Sequence, residues 1–167
     1  MSDLTIALAG NPNAGKTTIF NLLTGLHQHT GNWPGKTVEK KEGEVQHGKL
    51  KINIVDLPGT YSLTAYSPEE IIARDFIIQE HPDVVINVVD ATNLERNLYL
   101  TVQIMELDVP VVVALNMSDD LLKNGAKINL EQLSQLLGGV PVISTTANQG
   151  KGISDLISKA VGAARKN

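Results

Sequence analysis

Gly10-Asn11-Pro12-Asn13-Ala14-Gly15-Lys16-Thr17 has the spacing GxxxxGK[ST], and Thr18 follows it. The chemistry such a stretch performs is the holding of phosphate. Glycines let backbone N–H groups curl around anionic oxygens, and a helix opening at Lys16 adds the partial positive charge of its N-terminus. Lys16 is then expected to reach β- and γ-phosphates, and the Thr17 hydroxyl to hold Mg²⁺. The apolar run Leu4–Ala9 before the motif and the helical pattern after it are the context the motif requires.

Two later segments carry complementary chemistry. In Asp56-Leu57-Pro58-Gly59 the carboxylate can bind Mg²⁺ through water while the Gly59 N–H faces a γ-phosphate. DxxG alone is a weak signal; it gains weight by following the phosphate loop by about forty residues in the right topology. A threonine in the loop between them could complete the Mg²⁺ shell only while a γ-phosphate is present, which would make that loop an ordering switch. Several threonines lie there. In Asn116-Met117-Ser118-Asp119 an aspartate can accept from both N–H groups on the guanine edge, whereas adenine would leave it unpaired. Asn116 and Asp119 would serve equally well as helix caps. The usual pattern at such a place is NKxD; Met117 replaces the lysine, and its apolar stem can still cover a base. A last base-side segment is expected after Pro141–Ser144, at Thr146-Ala147-Asn148, with Ser144 and Thr145 as the alternative register.

The elements that must position these residues follow from pattern. Strands are expected at Leu4–Ala9, Val38–Gln46, Leu50–Val55, Asp83–Val89, Pro110–Leu115 and Pro141–Ser144. Helices are expected at Lys16–Thr24, Pro68–Glu80, Leu94–Glu106, Leu130–Leu137 and Ile153–Ala164, the last closed by Arg165 and Lys166 to suit its dipole. His27–Thr37 reads as a loop, and His47-Gly48-Lys49 as a hairpin turn. The fold class is α/β: a six-stranded, mostly parallel sheet with one antiparallel strand and helices on both faces, one domain over 1–167. Nearly every motif then falls at a C-terminal strand end, where such sheets bind ligands.

Bulk properties narrow the partners. Of 167 residues, 42% are apolar and 19% charged, as expected for one domain with a full core. The net charge of −4 disfavours nucleic acid as a partner. Without cysteine there is neither disulfide nor thiolate metal site. The N-terminus is not patterned as a signal peptide, and no apolar run approaches the ~20 residues of a membrane span, so the chain reads as soluble. His27 and His29 stand in a loop with no third ligand placed by spacing.

The order of these segments is that of translation-factor-like GTPases. Three longer strings are more specific: Asn32-Trp33-Pro34-Gly35-Lys36-Thr37-Val38-Glu39, Asp56-Leu57-Pro58-Gly59-Thr60-Tyr61-Ser62-Leu63, and Asp90-Ala91-Thr92-Asn93-Leu94-Glu95-Arg96-Asn97-Leu98. Together with Met117 in the base segment, they resemble ferrous-iron transport protein B (FeoB) over essentially the whole chain. The resemblance implies a P-loop, Ras-like G domain on the cytosolic face of a polytopic inner-membrane Fe²⁺ transporter, with a helical regulatory segment and the membrane domain elsewhere in the longer protein. It implies GTP and GDP as ligands, Thr37 as the switch threonine alongside Thr17 and Asp56 on Mg²⁺, and Gly35 and Lys36 beside the nucleotide. The sequence does not fix the oligomeric state, and a homo-oligomer through the switch regions stays open. Thr60 stands where many GTPases carry a water-orienting glutamine, and Lys36 is the only cation of the first loop, so slow hydrolysis is expected. Asn13 either only stabilises its turn or binds K⁺ beside the β- and γ-phosphates; the resemblance favours K⁺, with carbonyls of Gly31–Gly35 as further ligands. The catalytic set is then Asn13, Lys16, Thr37 and Gly59. The competing readings are a stand-alone ribosome or RNA assembly GTPase, which the negative charge weighs against, and an ATPase, which Asn116 and Asp119 weigh against.

Overall fold

A computed structural model of the chain describes residues 2–164. Arg165 and Lys166, expected to close the last helix, lie outside the described residues. The strands are β1 (Leu4–Gly10), β2 (Gln28–Asn32), β3 (Glu39–His47), β4 (Leu50–Asp56), β5 (Val84–Asp90), β6 (Val111–Asn116) and β7 (Val142–Ser144). The helices are α1 (Lys16–Thr24), α2 (Pro68–Glu80), α3 (Leu94–Met105), α4 (Ser118–Lys123), α5 (Leu130–Leu136) and α6 (Ile153–Ala164). The sheet order is β2-β3-β4-β1-β5-β6-β7. β3 pairs antiparallel with both neighbours and therefore runs against the other six.

Seven strands replace the six expected. The addition is β2, in the stretch read as loop, paired from Gln28↔Gly43 to Asn32↔Glu39. Gln-His-Thr-Gly-Asn has no apolar alternation because it is an edge strand with almost no buried face. Ladder hydrogen bonds hold it, and polarity protects the free edge. The short helix α4, in the base segment, was likewise not anticipated.

The central strands are apolar in every register because both faces are covered. Along β1, Ile6 and Leu8 enter a core shared with Phe20 of α1 and Leu156 of α6. Ala7 and Ala9 enter the opposite core with Ile72 of α2 and Leu100 and Ile104 of α3. A third cluster under α5 joins Val113 and Leu115 to Leu133. Among the described residues no helix is long and apolar enough to cross a membrane.

Candidate nucleotide-binding site

The phosphate loop connects β1 directly to α1. Asn13 sits at φ 69° and Gly15 at φ 96°. Asn tolerates the left-handed region because its short polar side chain bonds locally. At Gly15 a Cβ would lie 2.1 Å from Asn116 Nδ2, so only glycine fits. Gly15 is also the N-cap of α1, and no side chain satisfies that helix's first amides. An uncapped helix start wrapped by a loop is an anion site in waiting. Asn13, Thr17 and Thr18 are exposed there, while Asn11, Ala14 and Lys16 are buried.

Lys16 forms a buried ion pair with Asp56, at the end of the neighbouring β4. Burial raises the Asp56 pKa above the ordinary carboxylate value, with the Lys16 charge and hydrogen bond acting the other way. The segment beyond Asp56 is tied to the phosphate loop: the Thr60 N–H donates to Gly10 O at 3.1 Å. Gly59 faces Pro12, close enough that a Cβ would touch it at 3.4 Å. Thr60, at the glutamine position, is buried; Tyr61 beside it is 47% exposed.

The first loop is held from an unexpected side. Trp33 is buried edge-on against Phe76 of α2, ring centroids 5.7 Å apart. Lys40 Nζ lies 4.8 Å from the centre of its ring. A turn from Trp33 to Val38 then presents Gly35, Lys36 and Thr37 to solvent.

Asn116 ends β6 and acts as a clamp. Its Nδ2 donates to Ala14 O at 2.9 Å. Its Oδ1 accepts from Thr145 Oγ1 and from the Ala147 N–H, both at 3.0 Å. The base segment, the phosphate loop and the loop after β7 are thereby fixed to one another. Met117 adopts φ 61°, and its Cε comes within 4.0 Å of where a Gly15 Cβ would be. Asp119 is half-buried and accepts from Gln149 Nε2 at 3.2 Å. In the last segment Thr146 and Ala147 are buried, whereas Asn148 is exposed. Contact with Asn116 thus begins one residue earlier than the favoured register, at Thr145. A cleft of about 990 Å³ around Val109–Val111 and Gly138–Pro141 lies at the opposite strand ends and contains no motif residue. Among the described residues no three His, Cys, Asp or Glu that could hold a metal gather in one place.

A glycine-shaped loop on an uncapped helix start, an aspartate pairing with its lysine, and an Asn-x-x-Asp segment clamped onto that loop define a G domain of the P-loop class. A family model for ferrous iron transport protein B matches residues 4–160, and the chain belongs to that family. It is 52% identical over 160 residues to the Fe(2+) transporter FeoB of Shigella flexneri, covering 93% of this chain and 21% of that protein. It is 51% identical over 159 residues to a Porphyromonas gingivalis Fe(2+) transport protein A/FeoB fusion, covering 95% and 19%. The chain therefore spans about a fifth of these relatives. The cytosolic domain of T. maritima FeoB in a GDP form superposes with TM-score 0.93 at 46% identity, covering 98% of this chain and 64% of that one. The G-domain of Methanococcus jannaschii FeoB gives TM-score 0.86 at 49% identity, with both chains covered completely.

Proposed function

We propose that this domain binds GTP and GDP with Mg²⁺, hydrolyses GTP slowly, and serves as the regulatory switch of a ferrous-iron membrane transporter. The observation that carries the reading is the Asn116 clamp, which joins a phosphate-shaped loop to a carboxylate able to read guanine. Family membership and the GDP form of the T. maritima relative support it.

In this reading backbone amides of Asn13–Thr18 cradle the phosphates, and Lys16 exchanges its Asp56 partner for β- and γ-phosphate oxygens. That exchange frees the Asp56 carboxylate, which with Thr17 and Thr37 makes an all-oxygen donor set suited to Mg²⁺. The ion, when bound, neutralises charge on the phosphates. The Gly59 N–H and Lys16 stabilise charge on the γ-phosphoryl group as it transfers to water. Asp119 accepts from the guanine edge, Met117 covers the base, and Thr145–Ala147 close its far side. Thr60 stands buried at the position of the water-orienting glutamine, and slow turnover is the expected consequence. Asn13, exposed on the phosphate loop, is the chain's own candidate ligand for K⁺, which would supply positive charge in place of an arginine.

The test is single-turnover hydrolysis of GTP and ATP in K⁺ and in Na⁺ at matched ionic strength, for the native chain and Asn13→Ala. GTP-only turnover, faster in K⁺ and K⁺-insensitive in the variant, is the expected result. Equal use of ATP would overturn the base reading, and equal rates in the two salts would remove the K⁺ role.

A further inference from the structure

The family-like string Asp90–Leu98 has no part in the nucleotide contacts described above, yet it is built with care. Asp90 accepts from the Thr92 N–H at 2.9 Å, Thr92 Oγ1 at 2.6 Å and Asn93 Nδ2 at 3.1 Å, shaping the tight turn that leads into α3. The Asp90 N–H donates to Asn97 Oδ1 at 3.1 Å. One turn further on, Thr101 Oγ1 donates to Asn87 Oδ1, and Asn87 Nδ2 donates to Ala9 O at 3.3 Å. Asn97 and Thr101, four residues apart, therefore fasten one face of α3 to β5 and β1 through buried polar atoms. Such fully bonded buried contacts make a rigid platform.

A neighbouring face of that platform reaches out to the segment after Gly59. The Arg96 guanidinium lies 4.5 Å from the centre of the Tyr61 ring. Among the described residues no carboxylate pairs with Arg96. Seven residues on, Gln103 Oε1 accepts from the Leu63 N–H at 2.7 Å. Leu63 is buried in the same core as Leu100, which lies between the two on α3. Arg96 and Tyr61 also line one cavity of about 170 Å³ with Asn11, Pro12 and Asn13 of the phosphate loop. Two independent side chains on one rigid helix thus hold both ends of Tyr61–Leu63, which starts two residues after Gly59, whose N–H is to face the γ-phosphate.

We propose that Arg96 and Gln103 are positioning residues for GTP hydrolysis, acting through Tyr61 and Leu63 on the placement of Gly59. The inference rests on the GTPase reading above. Because Gly59 is assigned to the γ-phosphate alone, the grip matters for GTP and not for GDP.

The experiment compares Arg96→Ala, Gln103→Ala and the conservative Arg96→Lys and Gln103→Glu with the native chain. It measures single-turnover GTP hydrolysis, affinity for GTPγS and for GDP, and the thermal midpoint. Each alanine variant should lower hydrolysis and GTPγS affinity by about threefold to tenfold while GDP affinity is unchanged. Arg96→Lys should restore most of the loss, since an ammonium also sits over an aromatic face, and Gln103→Glu keeps the acceptor. The proposal is overturned if both alanine variants match the native chain. It is equally overturned if GDP and GTPγS weaken together with a lowered midpoint, the mark of a purely structural role. A native chain that binds GTPγS without hydrolysing GTP would sink the GTPase reading instead, and the GTPγS-to-GDP affinity ratio alone would then decide the role of α3.

Discussion

Both polar atoms of the Asn116 side chain bond other parts of the protein: Nδ2 donates one of its two hydrogens to Ala14 O, and Oδ1 accepts from Thr145 and Ala147. Those bonds hold Ala14, Thr145 and Ala147 in fixed relation to one another. Asn116→Ala leaves a buried hydroxyl, a buried N–H and a carbonyl without partners, at a cost of about 1–3 kcal/mol for each group that water cannot reach. Urea denaturation without nucleotide should show this loss, and GDP affinity should fall with it. Asp119→Ala should instead leave stability nearly unchanged, because its one contact is the exposed Gln149 side chain. That contrast separates a structural asparagine from a base-reading aspartate. It was hidden in the linear motif, where both looked like caps or like ligands.

At the scale of elements, the two loops expected to sense phosphate are anchored on α2 and α3. Trp33 anchors the first loop on Phe76, yet its indole Nε1 is buried without a partner. Trp33→Ala should cost about 3 kcal/mol, as for other large buried aromatics. Trp33→Phe should cost under about 1 kcal/mol, because deleting the unpaired N–H offsets part of the lost volume. Chemical denaturation of the pair checks both values. In the second loop Glu70, near the start of α2, accepts from Ser62 Oγ at 2.6 Å, Thr64 Oγ1 at 2.8 Å and the Thr64 N–H at 3.2 Å. Those bonds, the Ser62 hydroxyl first, hold its carboxyl below the ordinary value of 4.5. A depressed carboxylate pKa means that the folded state binds the proton less readily than the unfolded one. Its stabilisation is thus full above pH 4.5 and lost as pH falls through the lower, folded value. The difference in thermal midpoint between the native chain and Glu70→Gln should be constant near neutrality and shrink on acidification below pH 4.5. A difference that grows in acid would refute the sign.

For the molecule as a whole, ligand linkage gives the simplest check. GDP at a hundred times its Kd should stabilise the native state by about 2.7 kcal/mol. For a chain of this size that raises the thermal midpoint by roughly 5–10 °C, and ATP at the same concentration should leave it in place. Calorimetry with each nucleotide measures both. Since the chain spans about a fifth of its transporter relatives, any link between this binding and iron movement has to be tested in a longer protein that contains the remaining domains.

The sequence alone determined the phosphate loop, the DxxG and Asn-x-x-Asp segments, the fold class and most element boundaries. These rest on local chemistry: glycine freedom, apolar period and residue spacing within one segment. The family was legible for the same reason, through Asn32–Glu39 and Asp90–Leu98. Three features needed the tertiary structure, because each joins residues that no local pattern connects. β2 exists only through its ladder with β3, since a polar edge strand carries no apolar period. The point where the last segment meets Asn116 was set by the close passage of Thr145, not by its likeness to a motif. Arg96 and Tyr61 are thirty-five positions apart, and only the packing of α3 beside the phosphate loop brings guanidinium and ring together.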